Sequence, residues 1–315
     1  MEIARDNVET RPWSDLPQEL LSPVANRLGI IELLGFRDTC KDWRSASSTA
    51  SAEIESSRHR KPWFLLYAEG NQECKLNNVS EKIRYSINIP ELEESACLAS
   101  IHGWLLLFNK GAIFFFCPLT RAKMELPDFP YLEISDHVAT FSAPPTSKKC
   151  IVCVISRKSE LKVELNFLKR GELKWEKVDY ACTRESVNIV SGATFHEECF
   201  YFLDKENKLL TYSFGNKKWG LYRIVESKAS DIDQLPFDCK KQHLKSNGIL
   251  KDWLNLVEDA SISTCGTLVE TNYGVALVYN ESIEASKEEG EIRKLKGIWI
   301  HPRFHQVPPN QNWFN

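Results

Sequence analysis

The sequence predicts an α+β protein, with a small helical module at the N-terminus and an all-β repeat domain after it. Apolar residues recur with a helical period over residues 13–50. From Trp63 onward they form short runs or alternate with polar residues, as strands do. The strand-like segments also resemble one another. With 315 residues, the chain has the length of one large domain with a small appendage.

Three short helices are predicted in the N-terminal module. The first begins near Pro17 and ends at Gly29, because glycine commonly terminates a helix. Its apolar face consists of Leu20, Leu21, Val24, Ala25 and Leu28. A second helix is predicted at about residues 31–38, and a third helix carries Cys40 and Trp43 on one face.

The β-rich part contains internal repeats. Residues 102–108 and 196–202 share one sequence pattern, and residues 167–175 and 212–219 share another. Aligned copies lie ~40 to 50 residues apart, which is the spacing of the four-stranded blades of a β-propeller. Because a blade buries its faces only against its neighbours, the repeats predict a ring. About five blades are expected, the last of them incomplete, at residues 62–90, 96–130, 137–178, 188–225 and 260–300.

Composition and charge exclude several classes of protein. The formal net charge of -3 lacks the basic excess of a nucleic-acid-binding protein. No segment approaches the ~18 apolar residues that a membrane-spanning helix needs. Residues 1–10 are polar and lack the apolar core of a secretory signal. We therefore expect an intracellular protein of the cytoplasm or nucleus that binds neither nucleic acid nor membrane.

The cysteines and the known catalytic motifs indicate neither a cofactor nor an active site. Ten cysteines inside a cell are expected to be reduced and packed as small apolar side chains. Cys150 and Cys153 have Cys-x-x-Cys spacing, but a strand would point the two thiols to opposite faces. The sequence contains no Gly-x-Ser-x-Gly elbow, no glycine-rich phosphate loop and no His-Glu-x-x-His. We expect no metal, no cofactor and no catalysis.

The N-terminal module resembles the F-box. The resemblance lies in the segment from Trp13 to Leu21, in Leu28 and Leu33, and in Cys40-Lys-Asp-Trp-Arg44 at the right distance. More narrowly, the chain is similar to plant F-box proteins with a kelch-like β-propeller domain. This resemblance implies the substrate-recognition subunit of a Skp-cullin-F-box (SCF) ubiquitin ligase. Its partners would be a Skp-type adaptor, a cullin reached through that adaptor, and an unknown target protein.

The resemblance also implies which side chains form the adaptor-binding face or support it. They are Leu16, Pro17, Leu20, Leu21, Val24, Leu28, Leu33, Leu34, Phe36, Cys40 and Trp43, with Arg37 and Arg44 at the rim. A plain helical cap on the propeller is the alternative, but it leaves the Cys40–Arg44 pattern unexplained. Pro23 lies inside the first helix, where a proline costs about 3 kcal/mol unless the helix bends. We expect this proline to weaken adaptor binding.

The predicted domain boundaries follow from these patterns. They are an F-box at 12–52, a linker at 53–61, a propeller at 62–305 with a helical insertion near 227–260, and a tail at 306–315. Target binding is expected at loops between strands, because a rigid β scaffold commonly displays binding residues there. The candidate loops are residues 69–74, 143–149 and 182–188.

Two other functions fit the same sequence. The chain would serve as a scaffold if it bound the adaptor without ligase function. It would be an enzyme if the propeller housed an unrecognised hydrolase site. Fold alone does not decide among these functions.

Overall fold

The computed structural model describes most of the helical module and of the β domain. The described residues are 13–51, 63–68, 72–78, 81–182, 186–206, 208–223, 262–271, 274–283, 295–303, 305, 307 and 311–314. The predicted linker at 53–61 and the predicted insertion near 227–260 lie outside them. The chain divides into two compact units, one formed by residues 1–60 and 302–306 and the other by residues 61–301 and 307–315.

Three short α-helices form the N-terminal module after a 3-10 turn at Trp13–Asp15. They are α1 (Gln18–Ala25), α2 (Ile30–Thr39) and α3 (Lys41–Ala46). Helix α1 ends before the predicted Gly29, because the amides of Arg27 and Leu28 form i→i−3 bonds that tighten its last turn. Gly29 is instead the N-cap residue of α2.

The β domain consists of antiparallel sheets of neighbouring strands. The first sheet contains β1 (Trp63–Ala68), β2 (Glu73–Asn78) and β3 (Ile83–Asn88). The second sheet contains β4 (Ala96–Ile101), β5 (Trp104–Asn109), β6 (Ala112–Phe116) and β7 (Lys123–Glu125). The third contains β8 (Val138–Phe141), β9 (Ile151–Ser159), β10 (Lys162–Lys169) and β11 (Glu176–Ala181).

The remaining strands complete the domain. The fourth sheet contains β12 (Val190–His196), β13 (Cys199–Asp204), β14 (Lys208–Ser213) and β15 (Lys218–Arg223). The fifth is a pair formed by β16 (Ile262–Thr271) and β17 (Gly274–Ile283). The last strand is β18 (Leu295–Ile300).

Strand β18 corrects the expectation that residues 260–300 form one blade. It pairs antiparallel with β1, from Trp63 opposite Ile300 to Ala68 opposite Leu295, and so gives the first sheet its fourth strand. The first and last strands of the β domain therefore belong to one sheet. A local sequence pattern does not reveal such a pairing, because the two strands are separated by almost the whole domain.

The sheets follow one another around a ring. Strand β18 contacts β4, β4 contacts β8, β8 contacts β12, and β12 contacts β16, while β17 contacts β18. Strands β18, β4, β8 and β12 are each an edge strand of a four-stranded sheet, and β16 and β17 form the strand pair. The domain is thus propeller-like, with one strand of each sheet facing the next sheet.

Tight turns within the sheets explain the first sequence repeat. His102 and Gly103 form a two-residue turn with positive φ angles of 54° and 81°. Glu197 and Glu198 form the matching turn in the fourth sheet, also with positive φ. His196 is the last residue of β12, so the two histidines are offset by one position in the structure. Two-residue turns with positive φ match the twist of antiparallel strands.

Candidate functional site

A stripe of exposed apolar residues lies on α1. Pro17 is the N-cap residue of the helix, and Leu20 and Val24 follow it at i+3 and i+7, on one face of the helix. Leu20 is 59% exposed and Val24 is 49% exposed. Trp13, in the turn before the helix, is 74% exposed. Large apolar side chains with this exposure on one small surface indicate an interaction site. We call Trp13, Pro17, Leu20 and Val24 the apolar stripe.

The other predicted site residues divide by burial. Leu21, Leu33 and Phe36 are buried and form the core of the module. The half-buried ones are Leu16, Leu28, Leu34, Cys40 and Trp43. Sequence reasoning placed Trp13 in the F-box motif but not among the site residues. It also missed Ile30, which is 3% exposed and therefore belongs to the core.

Trp43 of α3 contacts both the turn before α1 and helix α2. Its indole Nε1 donates a hydrogen bond to the carbonyl oxygen of Trp13 at 3.1 Å. Its ring packs against that of Phe36, with 4.5 Å between the ring centroids. Cys40 joins α2 to α3 in an extended conformation, and its carbonyl accepts the Arg44 amide at 3.0 Å. The Cys40–Arg44 part of the F-box motif therefore has a structural role, because its side chain and backbone contacts hold the module together.

Arg37 is not at the rim, where we expected it. It is 6% exposed, and its guanidinium donates to the hydroxyl of Ser47 at 3.2 Å and to that of Ser51 at 2.6 Å. Burial without hydrogen bonds would be costly for a guanidinium, so these hydroxyls stabilise its position. Arg44 is exposed, and its Nε donates to the Arg37 carbonyl at 3.2 Å.

Pro23 is exposed and lies within α1, which continues to Ala25. Ser22 beside it donates a side-chain hydrogen bond to the Ala46 carbonyl of α3 at 3.1 Å. The amide of Asn26 donates to the Ser22 carbonyl at 3.0 Å. The proline therefore lies on the exposed side of the helix, while the neighbouring serine connects α1 to α3.

Two of the expected target loops, the second of which is described only at Cys182 and at residues 186–188, lie at opposite ends of the third sheet. Residues 143–149 lie within the connection between β8 and β9, whereas residues 182–188 follow β11. In an antiparallel four-stranded meander these two connections lie at opposite ends. The amide of Val187 accordingly donates to the carbonyl of Glu160, in the turn between β9 and β10. A single binding face therefore contains one of these loops and not the other. The third loop, 69–74, is described only from Gln72 onward.

A buried carboxylate lies on β10. Glu164 is 1% exposed, and its oxygens accept hydrogen bonds from Tyr131 and, at 3.0 Å, from the side chain of Asn166. Lys177 and Lys158 form ion pairs with it. Burial alone would raise its pKa, but the hydrogen bonds and the two ammonium groups outweigh burial and lower the pKa to about 2. Glu164 is therefore ionised at neutral pH, unlike a carboxylic acid adapted for proton donation.

The Cys-x-x-Cys pair is buried and reduced. Cys150 and Cys153 are both free thiols with no exposed surface. Burial raises the pKa of Cys150 to about 12 and that of Cys153 well above its usual value. Thiols of this kind are poor nucleophiles and poor metal ligands. Within the described part of the chain, no group of three or more histidine, cysteine or acidic residues is arranged to hold a metal ion.

No helix in the described ranges is both long enough and apolar enough to cross a bilayer. This finding agrees with the lengths of α1, α2 and α3, which contain 8, 10 and 6 residues. A helix needs about 20 residues to span the hydrocarbon core of a membrane.

Three F-box proteins of Arabidopsis thaliana are similar to this chain over about two thirds of its length. F-box protein At4g00893 of Arabidopsis thaliana is 24% identical over 66% of this chain and 52% of its own length. F-box/kelch-repeat protein At1g57790 is 25% identical over 70% of this chain and 61% of its own length. F-box protein At1g49360 is 25% identical over 66% of this chain and 44% of its own length. The matched region thus spans between 44% and 61% of the length of these relatives.

A solved structure and two family descriptions complete the comparison. The crystal structure of the N-terminal domain of Nup159 aligns with 74% of this chain and 54% of its own, at 10% identity and a TM-score of 0.27, which is too low to indicate a shared fold. Residues 13–51 match the F-box domain, and residues 75–294 match the KIB1-4 beta-propeller. The chain therefore belongs to the KIB1-4 beta-propeller family and is a plant F-box protein with a propeller domain.

Proposed function

We propose that this protein is the substrate-recognition subunit of an SCF ubiquitin ligase. The F-box binds a Skp-type adaptor, which links the protein to a cullin, and the propeller binds the target. The apolar stripe is the observation that carries this proposal. It leaves Trp13, Leu20 and Val24 exposed, whereas the leucine, isoleucine and phenylalanine residues described elsewhere in the module, together with Trp43, are buried or half-buried.

The free energy of hydrophobic burial supports docking at the stripe. Full burial of a valine or leucine side chain contributes about 1.5–3 kcal/mol. A module of this size buries only a limited core by itself, so a partner that covers the stripe also stabilises the module. The half-buried Leu16, Leu28 and Leu34 extend the apolar surface available to such a partner.

The propeller is the proposed receptor for the target. We infer five blades, of which four are the four-stranded sheets and the fifth contains β16 and β17. Connections between strands at one end of this ring would form the target-binding face, on a scaffold that holds them in fixed positions. The protein would promote ubiquitination by positioning the target. Its binding holds target lysines beside the ubiquitin-conjugating enzyme at high effective concentration. The protein itself is proposed to be non-catalytic.

Affinity capture tests this function directly. Tagged wild-type protein is expected to retain both the Skp-type adaptor and the cullin, and Leu20→Asp is expected to lose both, because a carboxylate cannot be buried in an apolar interface without a partner. Leu161→Asp is the matched control, because Leu161 is 55% exposed in the β9–β10 turn, close to the 59% of Leu20. The control is expected to retain both partners.

Two results would contradict the proposal. Equal capture by wild type and Leu20→Asp would exclude the apolar stripe as the adaptor-binding surface. Capture of the adaptor without the cullin would exclude the ligase function and favour an adaptor-binding scaffold.

A further inference from the structure

A groove of about 450 Å³ lies beside the β5–β6 turn of the second sheet. Part of its lining is the connection from β3 to β4, at residues 90–95. The rest comes from the start of β6 and from β7 with the residues that follow it. Ile113, Phe114 and Leu126 supply the apolar part of the lining. The groove therefore combines apolar side chains with two segments of polar chain.

The lining is acidic. Its carboxylates are those of Glu91, Glu93, Glu94, Glu125 and Asp128. Three of them form ion pairs with neighbouring lysine or arginine side chains, at 2.8–3.4 Å. Glu93 instead accepts a hydrogen bond from the uncharged amide of Gln72 at 2.6 Å, and Asp128 is exposed. Neither Glu93 nor Asp128 forms an ion pair within the described ranges, so both carboxylates can accept a cation from another molecule.

The position of Lys123 shows how the groove holds an ammonium group. Its Nζ lies 2.8 Å from a carboxylate oxygen of Glu125 and 4.5 Å from the centre of the Phe114 ring. A carboxylate and an aromatic face thus act on the same cation, and both attract lysine and arginine side chains.

An exposed leucine extends the surface of the groove. Leu132 is 76% exposed, and a Cβ at Gly111 in the β5–β6 turn would meet its Cδ2 at 3.0 Å. The Gly111 carbonyl accepts the Phe129 amide at 2.9 Å, which holds the chain before Leu132 on this turn. Asn109 and Ala112, on either side of the turn, line the groove. An apolar side chain of a ligand in the groove could therefore pack on Leu132.

The chemistry of the lining selects the kind of ligand. Carboxylates repel phosphate groups, which disfavours a nucleotide or a nucleic acid. In the part of the chain that the structure describes, no three acidic, histidine or cysteine residues are arranged to hold a metal ion. Carboxylates that are spread along a groove suit several cationic side chains of one polypeptide, and such complementarity confers specificity.

The groove also distinguishes between the ends of the ring. Tyr131, the residue before Leu132, donates a hydrogen bond to Glu164 near the start of β10. The β5–β6 turn therefore lies at the same end as the β9–β10 turn, to which the backbone of residues 182–188 is hydrogen-bonded. Of the two target loops expected on the third sheet, residues 182–188 share this end with the groove.

We propose that the groove binds a basic segment of the target protein, in which lysine or arginine side chains flank an apolar residue. The basic side chains pair with Glu93 and Asp128, and the apolar residue packs on Leu132. The inference rests on the proposed function, because it describes the occupant as the target of the ligase.

Peptide binding to the full chain tests the groove. The probe is a fluorescein-labelled peptide, Gly-Lys-Arg-Leu-Lys-Arg-Gly, and the control peptide carries glutamine at every basic position. The wild-type chain is expected to bind the basic peptide saturably and the glutamine peptide about ten-fold more weakly, because several ion pairs are lost. Equal binding of the two peptides would overturn the proposal.

Two double variants with the same change in net charge locate the site. Glu93→Gln with Asp128→Asn is expected to weaken binding of the basic peptide about five-fold. Glu81→Gln with Glu197→Gln removes two exposed carboxylates from the β2–β3 and β12–β13 turns, and is expected to leave the affinity unchanged. Equal losses in both double variants would mean that only overall charge attracts the peptide, which contradicts the proposed site.

Leu132→Ser tests the apolar contact separately. The variant is expected to bind the basic peptide about three-fold more weakly. It is expected to match wild type with a basic peptide that carries serine in place of leucine. The same loss with both peptides would show that Leu132 does not receive the apolar residue.

Capture of the adaptor and cullin separates this inference from the proposed function. A chain that captures both but does not prefer the basic peptide would keep the ligase function and lose the proposed groove. Preference for the basic peptide without capture of the cullin would support the groove and overturn the description of its occupant as a ligase target.

Discussion

The indole of Trp43 donates a hydrogen bond to the backbone carbonyl of Trp13, and so joins the end of the F-box motif to its beginning. The two residues are distant in sequence, yet the bond is 3.1 Å long. Trp43 also packs on Phe36 of α2. The turn before α1 is therefore held by a residue of α3, which places Trp13 next to the start of α1 and makes it part of the apolar stripe.

Replacing Trp43 is expected to destabilise the helical module. Trp43→Ala is expected to cost less than the about 3–5 kcal/mol of a fully buried tryptophan, because Trp43 is half-buried. Trp43→Phe retains an aromatic ring for Phe36 and loses the hydrogen bond, which costs about 1 kcal/mol. Hydrogen exchange of residues 13–51 in the full chain measures both effects. Unchanged protection in Trp43→Ala would show that the residue does not support the module.

Two glycines are expected to respond in opposite directions to replacement by alanine. A Cβ at Gly297 on β18 would overlap the ring of Phe64 on β1, whereas a Cβ at Gly35 in α2 would meet nothing within 4 Å. Gly297→Ala is therefore expected to destabilise the pairing of β18 with β1. Gly35→Ala is expected to stabilise α2 by about 1 kcal/mol, because alanine has the higher helix propensity.

Thermal melts of the two variants measure this contrast, and each variant is the control for the other. A melting temperature of Gly297→Ala equal to that of wild type would argue against close packing of β18 on β1. Gly297→Val is expected to be less stable than Gly297→Ala, since its larger side chain demands more space beside Phe64.

The ionised Glu164 is expected to make stability depend on pH in the acid range. Its pKa is about 2 in the folded protein, against an ordinary value of 4.5. A lowered pKa means that the carboxylate stabilises the folded state above pH 4.5 and loses this effect as the pH falls towards 2. The shift corresponds to about 3 kcal/mol.

Denaturation of wild type and Glu164→Gln at several pH values measures this contribution. The stability difference between the two is expected to be largest near neutral pH and to shrink below pH 4.5. Glu176→Gln is the control, because Glu176 is exposed on the neighbouring strand, where it forms a surface ion pair with Lys169 at 3.6 Å. An equal pH response of both variants would exclude Glu164 as the source.

The buried thiols of the third sheet are expected to resist alkylation. Burial raises the pKa of Cys150 to about 12 and that of Cys153 well above its usual value, so neither forms the reactive thiolate at about pH 8. Treatment of the folded chain with iodoacetamide, followed by peptide mass spectrometry, checks the prediction. In denaturant both cysteines are expected to react. Rapid labelling of either one in the folded chain would contradict their burial.

Several features of the fold could be predicted from the sequence because they depend on local patterns. The helical spacing of Leu20, Val24 and Leu28 predicted α1, and short apolar or alternating runs predicted the strands. The F-box and the propeller-like β domain are both confirmed by the matches to known families. The adaptor-binding role of the individual side chains stays a prediction.

Other features depend on contacts between distant segments, and these were missed. The resemblance to the F-box implied a position at the rim for Arg37, but Ser47 and Ser51 satisfy its guanidinium in the interior. Likewise, Trp313 in the predicted tail is buried, because its ring stacks on that of Phe115 in the second sheet, a contact that no neighbouring residue indicates.

The sequence by itself determined the two kinds of structure, the F-box motif and the repeats, because each is encoded in residues close together along the chain. Only the tertiary structure decided that β18 completes the first sheet, that the expected target loops of the third sheet lie at its opposite ends, and which F-box residues are exposed. Strand pairing and burial depend on which distant segments meet. Periodicity shows which face of a helix or strand is apolar, but not what covers it.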